Sequence, residues 1–123
     1  MTEYGPHIDS FRHYSHLIAG QRTATVTLKG CRVPWDGRVA NAYATARTNG
    51  ASTPTLTVDL KVGATSKLAA AISVTSGDYT AGSPATDPSV NAGDELDIVL
   101  TIGGGGGSPT WDDIVVEWDL VRT

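Results

Sequence analysis

The chain is poor in cysteine, in charge and in helix-forming residues. A single cysteine, Cys31, stands among 123 residues, so no intramolecular disulfide can form. Assembly in a reducing cytoplasm is therefore expected. Charged residues make up 18% of the chain, and the formal net charge is -4. No basic stripe is visible, which argues against nucleic acid as a partner. No apolar run approaches the length that crosses a membrane, so no membrane partner is expected. Met1-Thr2-Glu3-Tyr4 has neither the charged start nor the apolar stretch of a secretory signal.

Catalytic motifs are equally scarce. Ser10 and Ser15 lie near histidines, but nothing around them forms a nucleophile elbow or a cysteine–histidine setting. The run Gly103–Gly107 lacks the Lys-Ser/Thr ending and the strand-to-helix context of a phosphate loop. It reads instead as a mobile tip between two strands. All three histidines (His7, His13, His16) fall in the first 20 residues, with Asp9 among them. His13 and His16 are spaced i, i+3, usable by a metal on a helix, but no second motif supplies further ligands. A solvated or interface role is expected for them. Acidic residues gather at Asp94, Glu95 and Asp97 and at Asp112, Asp113, Glu117 and Asp119. Alternation puts Glu95, Asp97, Glu117 and Asp119 on solvent faces, away from any paired-carboxylate cleft. No loop has the ligand spacing of a dedicated calcium site. The expectation is a protein that binds and does not catalyse, with no cofactor and no metal.

What is present is a strand-forming composition. Hydrophobic residues make up 40% of the chain and Gly numbers 14, with Thr, Ala, Val and Ser abundant. This favours short strands joined by tight turns in one domain. From Gln21 onward the apolar period is two. Ala24, Val26 and Leu28 alternate with Thr23, Thr25 and Thr27. Cys31 ends this alternation and reads as a buried small hydrophobe. Pro34-Trp35-Asp36-Gly37 is a turn, since proline fixes φ and Asp-Gly accepts unusual dihedrals. Gly37 to Arg47 is a second strand with Ala40, Ala42, Ala44 and Ala46 on one face, and Thr48-Asn49-Gly50 turns it. Leu56, Val58, Leu60 and Val62 form a half-buried strand. Leu68, Ala70, Ile72 and Val74 predict another, although Ala69-Ala70-Ala71 weakens it. Residues 75–93 are a long polar stretch with room for a short strand near Tyr79. Leu96, Ile98, Leu100 and Ile102 form the next strand, and Ile114, Val116, Trp118 and Leu120 the last. About seven strands with short connections pair antiparallel and stack as two sheets. The predicted fold is therefore an all-β, antiparallel, jelly-roll-like sandwich over residues 21–123.

Residues 1–20 stand apart as a short N-terminal arm. Ile8, Phe11, Tyr14, Leu17 and Ile18 recur at three-to-four spacing, which suits a short amphipathic helix after the Gly5-Pro6 breaker. An extended arm lying on a neighbouring subunit fits as well. Tyr4, Ile8, Phe11, Tyr14 and Leu17 are too many large groups for so short a segment to hide, so they are candidate partner contacts. Trp118 belongs to the core of the last strand. Trp35 and Trp111 are read in turns, where an indole caps the sandwich, anchors an interface or stacks on a sugar. Both join the candidate contacts.

The stretch from about Thr23 to the C-terminus resembles a structural module of tailed phages. The resemblance is carried by Val33-Pro34-Trp35-Asp36-Gly37 and the Val/Ala strand after it. Leu56-Thr57-Val58-Asp59-Leu60-Lys61-Val62-Gly63, Ala92-Gly93-Asp94-Glu95-Leu96-Asp97-Ile98 and the glycine-rich loop before the last strand continue it. The pattern resembles minor structural, head-decoration and fibre-associated virion proteins, and residues 1–20 lie outside it. The resemblance implies a jelly roll, homo-oligomers that are often trimers, and attachment to a capsid or tail surface. A chain running from Met1 to just past its last strand is expected to be a free-standing subunit, which favours head decoration. The expected partners are then the major capsid protein and sister subunits, on the outer surface of a head assembled in the host cytoplasm. The alternative is a receptor- or glycan-binding module of a tail fibre or spike.

Overall fold

The computed structural model describes residues 11–22, 25–48, 55–103 and 110–123. Six long strands carry the fold: β1 (Phe11–Arg22), β2 (Val26–Arg32), β3 (Gly37–Thr48), β4 (Thr55–Val62), β9 (Glu95–Gly103) and β10 (Trp111–Arg122). Between β4 and β9 lie four two-residue strands: β5 (Thr65–Ser66), β6 (Ile72–Ser73), β7 (Thr80–Ala81) and β8 (Ser89–Val90). One sheet, here called the first, runs β1-β10-β3-β7, with β8 also on β3. The second runs β2-β9-β4-β5, with β6 also on β4. Every pairing is antiparallel.

The pairs nest: β1 with β10, β2 with β9, β3 with β7 and β8, β4 with β5 and β6. That is one long hairpin rolled over on itself, with successive rungs alternating between the sheets. Such nesting defines a jelly roll, so the predicted sandwich is the fold observed.

The strands form where the two-residue period was clean. In β4 and β9, Leu56, Val58, Leu60, Leu96, Ile98 and Leu100 are all buried. In β10, Ile114, Val116, Trp118 and Leu120 are fully buried. Ala42, Ala44 and Ala46 of β3 are buried in the core, and their small side chains leave room for the larger ones of the facing layer. The expected alanine face ends there, because the bulge at Asn41 gives the inner position to Val39 and sets Ala40 opposite Asp119 on the outer side. Three bulges bend the first sheet. One sits on β1 between Ile18 and Gln21, where Gly20 has φ +82. One sits on β10 between Asp112 and Val115, where Asp113 has φ 51. The third is on β3 at Asn41, φ 48.

Three expectations are corrected. Residues 11–20 are neither a helix nor an arm outside the fold. They form most of β1, paired with β10 from Phe11↔Val121 to Ile18↔Ile114. The three-to-four spacing arises because apolar groups occupy both faces of this strand: Ile18 is buried inside, while Phe11 and Leu17 are exposed outside. The boundary drawn at Gly20 therefore falls within a strand. No continuous strand spans residues 68–74. Leu68, Ile72 and Val74 are buried as expected, but Ala70 is exposed, and the backbone pairs only through a Leu68–Pro84 bridge and β6. Trp111 is not in a turn but is the first residue of β10, and it is buried. The Thr48-Asn49-Gly50 turn, most of the five-glycine tip, His7, Asp9 and Ser10 lie outside the described residues.

Candidate interaction surface

The inner side of β1 closes the core. Tyr14 and His16 lie on that side, and both rings stack on Trp118 of β10. Their centroids are 5.5 and 5.4 Å from it, at interplanar angles of 13° and 6°. Cys31 of β2 meets Tyr14 and Trp118 from the second sheet, and burial pushes its thiol pKa up. A raised pKa makes the thiol a poorer nucleophile. Cys31 packs against the core, although it is only partly buried and not fully buried as expected.

The outer side of the first sheet is the exposed counterpart, and cross-strand register sets its pattern. One row holds Phe11, Val121 and Arg38; another holds Ser15, Glu117 and Tyr43; a third holds Leu17, Val115 and Thr45. Phe11 is 57% exposed, Leu17 64% and Tyr43 41%. Three large apolar groups on one face of one sheet are unusual for a solvated surface.

A charged cluster sits among them. His13 Nδ1 is 2.6 Å from Asp119 Oδ1, and its Nε2 is 3.0 Å from Glu117 Oε1. Carboxylates only accept, so both contacts are hydrogen bonds when the ring is an imidazolium and both its nitrogens donate. The bond to Asp119, reinforced by that to Glu117, raises the His13 pKa above its ordinary value. Asn41, whose backbone bulge suits an asparagine, donates from Nδ2 to Asp119 Oδ2 at 3.0 Å. The cluster links β1, β10 and β3 from outside. His13 and His16 point to opposite faces of the strand, so they share no metal. Among the described residues no group of three or more His, Cys, Asp or Glu is placed to hold one.

The candidate contact residues are thus dispersed. Phe11 and Leu17 share the exposed outer face. Tyr14 is half-buried against Trp118. Trp35 is half-buried, its ring 2.9 Å from where a Cβ on Gly37 would stand, so it caps one end of the sandwich. The turn that carries it is tied down by Asp36, which accepts the Ala92 N–H at 2.8 Å and, through its carbonyl, the Thr123 N–H at 3.2 Å. Trp111, at 2% exposure, has no surface to offer a partner. Tyr4 and Ile8 lie outside the described residues. Sequence reasoning missed Tyr43, Asn41 and the pairing of His13 with Glu117 and Asp119. The acidic alternation of β10 was visible, but its register against β1 was not.

On the second sheet's outer face Lys29 bridges to Glu95 at 2.8 Å and Asp97 at 3.7 Å, as a solvated charged surface does. An open groove of about 350 Å³ lies between β6 and β7, walled by Ala69–Ser73 and Thr80–Ser83. It holds no charged side chain.

No family model matches the chain, and no curated protein matches it in sequence. A solved structure does share its fold. A chain of the cyanophage Pam1 capsid asymmetric unit superposes with a TM-score of 0.58 at 15% identity, over 92% of this chain and 84% of that one. The crystal structure of FLHE covers 92% of this chain and 96% of its own at 16% identity, with a TM-score of 0.46.

Proposed function

We propose that the chain is a structural protein of a phage head, a capsid decoration or cement subunit. It binds the outer capsid shell and sister subunits and carries no catalytic role. The observation that carries this reading is the fold shared with a chain of a phage capsid asymmetric unit over 92% of the present chain. The resemblance of the Val33–Gly37 turn and the β4 and β9 segments to virion proteins points the same way. The major capsid protein is the partner, the outer face of the first sheet is the contact surface, and Tyr43 lies within it. Each bound copy covers apolar area across a capsid seam, and many copies together resist internal pressure. This reading needs sister subunits to associate but fixes no number of copies; the threefold state is an implication of the resemblance alone.

The tail-fibre alternative called on Trp35 and Trp111 as sugar platforms. Neither supports it, since one caps the sandwich and the other is buried. The test is co-sedimentation with capsids that lack the protein. Saturable binding is expected, and Tyr43→Glu should weaken it at least about tenfold, as loss of a central aromatic contact does. A protein that stays in the supernatant at every concentration, and is absent from virions by mass analysis, would overturn the reading.

A further inference from the structure

Strand edges decide what a sandwich can join. Of the four sheet edges, those of β5 and β6 and of β7 and β8 are two residues long and offer little to pair with. The β2 edge is guarded by Lys29, Arg32 and a bulge at Gly30, the devices that usually block edge pairing. The β1 edge differs. It is regular for eight residues, from Phe11 to Ile18, contains no proline, and pairs among the described residues only with β10. Its outer face carries Phe11 and Leu17, the two most exposed large hydrophobics of the first sheet.

We propose that the β1 edge pairs antiparallel with β1 of a second copy about a twofold axis at Tyr14. The choice of occupant and register comes from the positions of the two apolar groups. Phe11 and Leu17 lie three residues either side of Tyr14. A twofold axis there sets Phe11 of each copy opposite Leu17 of the other, on the same face, twice. Directly opposed side chains in an antiparallel pair touch, so both exposed groups are covered by the one operation. The register sets Arg12 opposite His16 of the other copy, whose ring is stacked on its own Trp118. His13 falls opposite Ser15 of the other copy, and its ring is already held by Asp119 and Glu117 of its own chain. No carboxylate opposes a carboxylate. The β1–β10 ladder continues across the axis, so the two first sheets become one, with the outward N–H and C=O groups of β1, unpaired among the described residues, satisfied.

The pairing does not rest on the capsid reading: a chain that dimerises but ignores capsids would keep it. Being twofold, it cannot by itself build a trimer. Light scattering on the full chain should show a concentration-dependent dimer. Leu17→Lys should raise its dissociation constant at least about tenfold while leaving the melting temperature nearly unchanged. The register is read with thiols in a Cys31→Ala background. A mixture of Phe11→Cys and Leu17→Cys chains should cross-link with a short thiol reagent far better than either alone. A monomer at the highest concentration the protein tolerates, or a trimer, overturns the proposal. So does a dimer in which either single variant cross-links as well as the mixture, since the axis would then lie elsewhere.

Discussion

The indole of Trp118 lies against the bare α-carbon of Gly30. A Cβ on Gly30 would stand 3.1 Å from Trp118 Cη2 and 2.6 Å from the Leu96 carbonyl oxygen. The first contact is with the largest buried side chain and the second with backbone, so neither neighbour can yield easily. Gly30 belongs to β2 and Trp118 to β10, so this contact helps set how closely the two sheets approach. Gly30→Ala should therefore destabilise the fold by about 1–3 kcal/mol, the usual cost of overpacking a filled core. Urea denaturation checks it; an unchanged midpoint would mean that β2 can move off the indole.

Leu100 lies in the middle of β9, fully buried and flanked by β2 and β4 through Val26 and Val58. Leu100→Ala should cost about 2–5 kcal/mol in the same assay. A loss well under that range would signal a strand shifted by one residue, because such a slip exchanges the two faces.

These two residues show what was legible in the sequence. The strands around Leu100 announce themselves because large apolar groups fill every second position and Thr or Asp fills the rest. Ala42, Ala44 and Ala46 of β3 are equally plain, but the bulge at Asn41 that turns Ala40 out of their face is not. β1 was hidden because its apolar residues serve two surfaces, Tyr14 and Ile18 inward and Phe11 and Leu17 outward, and the superposition imitates a helix. The region from Leu68 to Val74 was misjudged because loop residues can reach the core with almost no ladder. The surface cluster was illegible for another reason: 104 and 106 residues separate His13 from Glu117 and Asp119. Only the register of a jelly roll brings them together.

The place of β1 in the roll makes a prediction about truncation. Removing residues 1–20 takes away the rung that pairs with β10, together with the two rings stacked on Trp118 and the buried Ile18. The remaining chain would expose one side of β10 and an indole that is now fully buried. It should lose cooperative melting in calorimetry and bind a hydrophobic dye. A sharp melt near that of the intact chain would show that the rest of the sandwich closes without β1.

The pH dependence of stability follows from His13. Its folded pKa is raised above the ordinary 6.5 by the bond to Asp119, then by that to Glu117. A raised histidine pKa means that the folded state holds the proton more tightly than the unfolded chain. The stabilisation is then fully present below pH 6.5 and is lost as pH rises through the folded value. Both carboxylates accept from the ring, and Asn41 contributes a neutral donor to Asp119, so among the described residues no other cation pairs with them in place of the imidazolium. The amplitude is modest, because 49% of the His13 side chain is exposed and water screens the pair. Exposed pairs contribute about 0.2–1 kcal/mol. Urea midpoints measured from mildly acidic to mildly alkaline pH should therefore decline in the intact protein and decline less in His13→Gln. The difference between the two curves isolates this histidine from His7 and His16. Parallel curves would mean that the imidazolium contributes nothing to holding β1 on β10, leaving that to the backbone ladder, buried Ile18 and the rings stacked on Trp118.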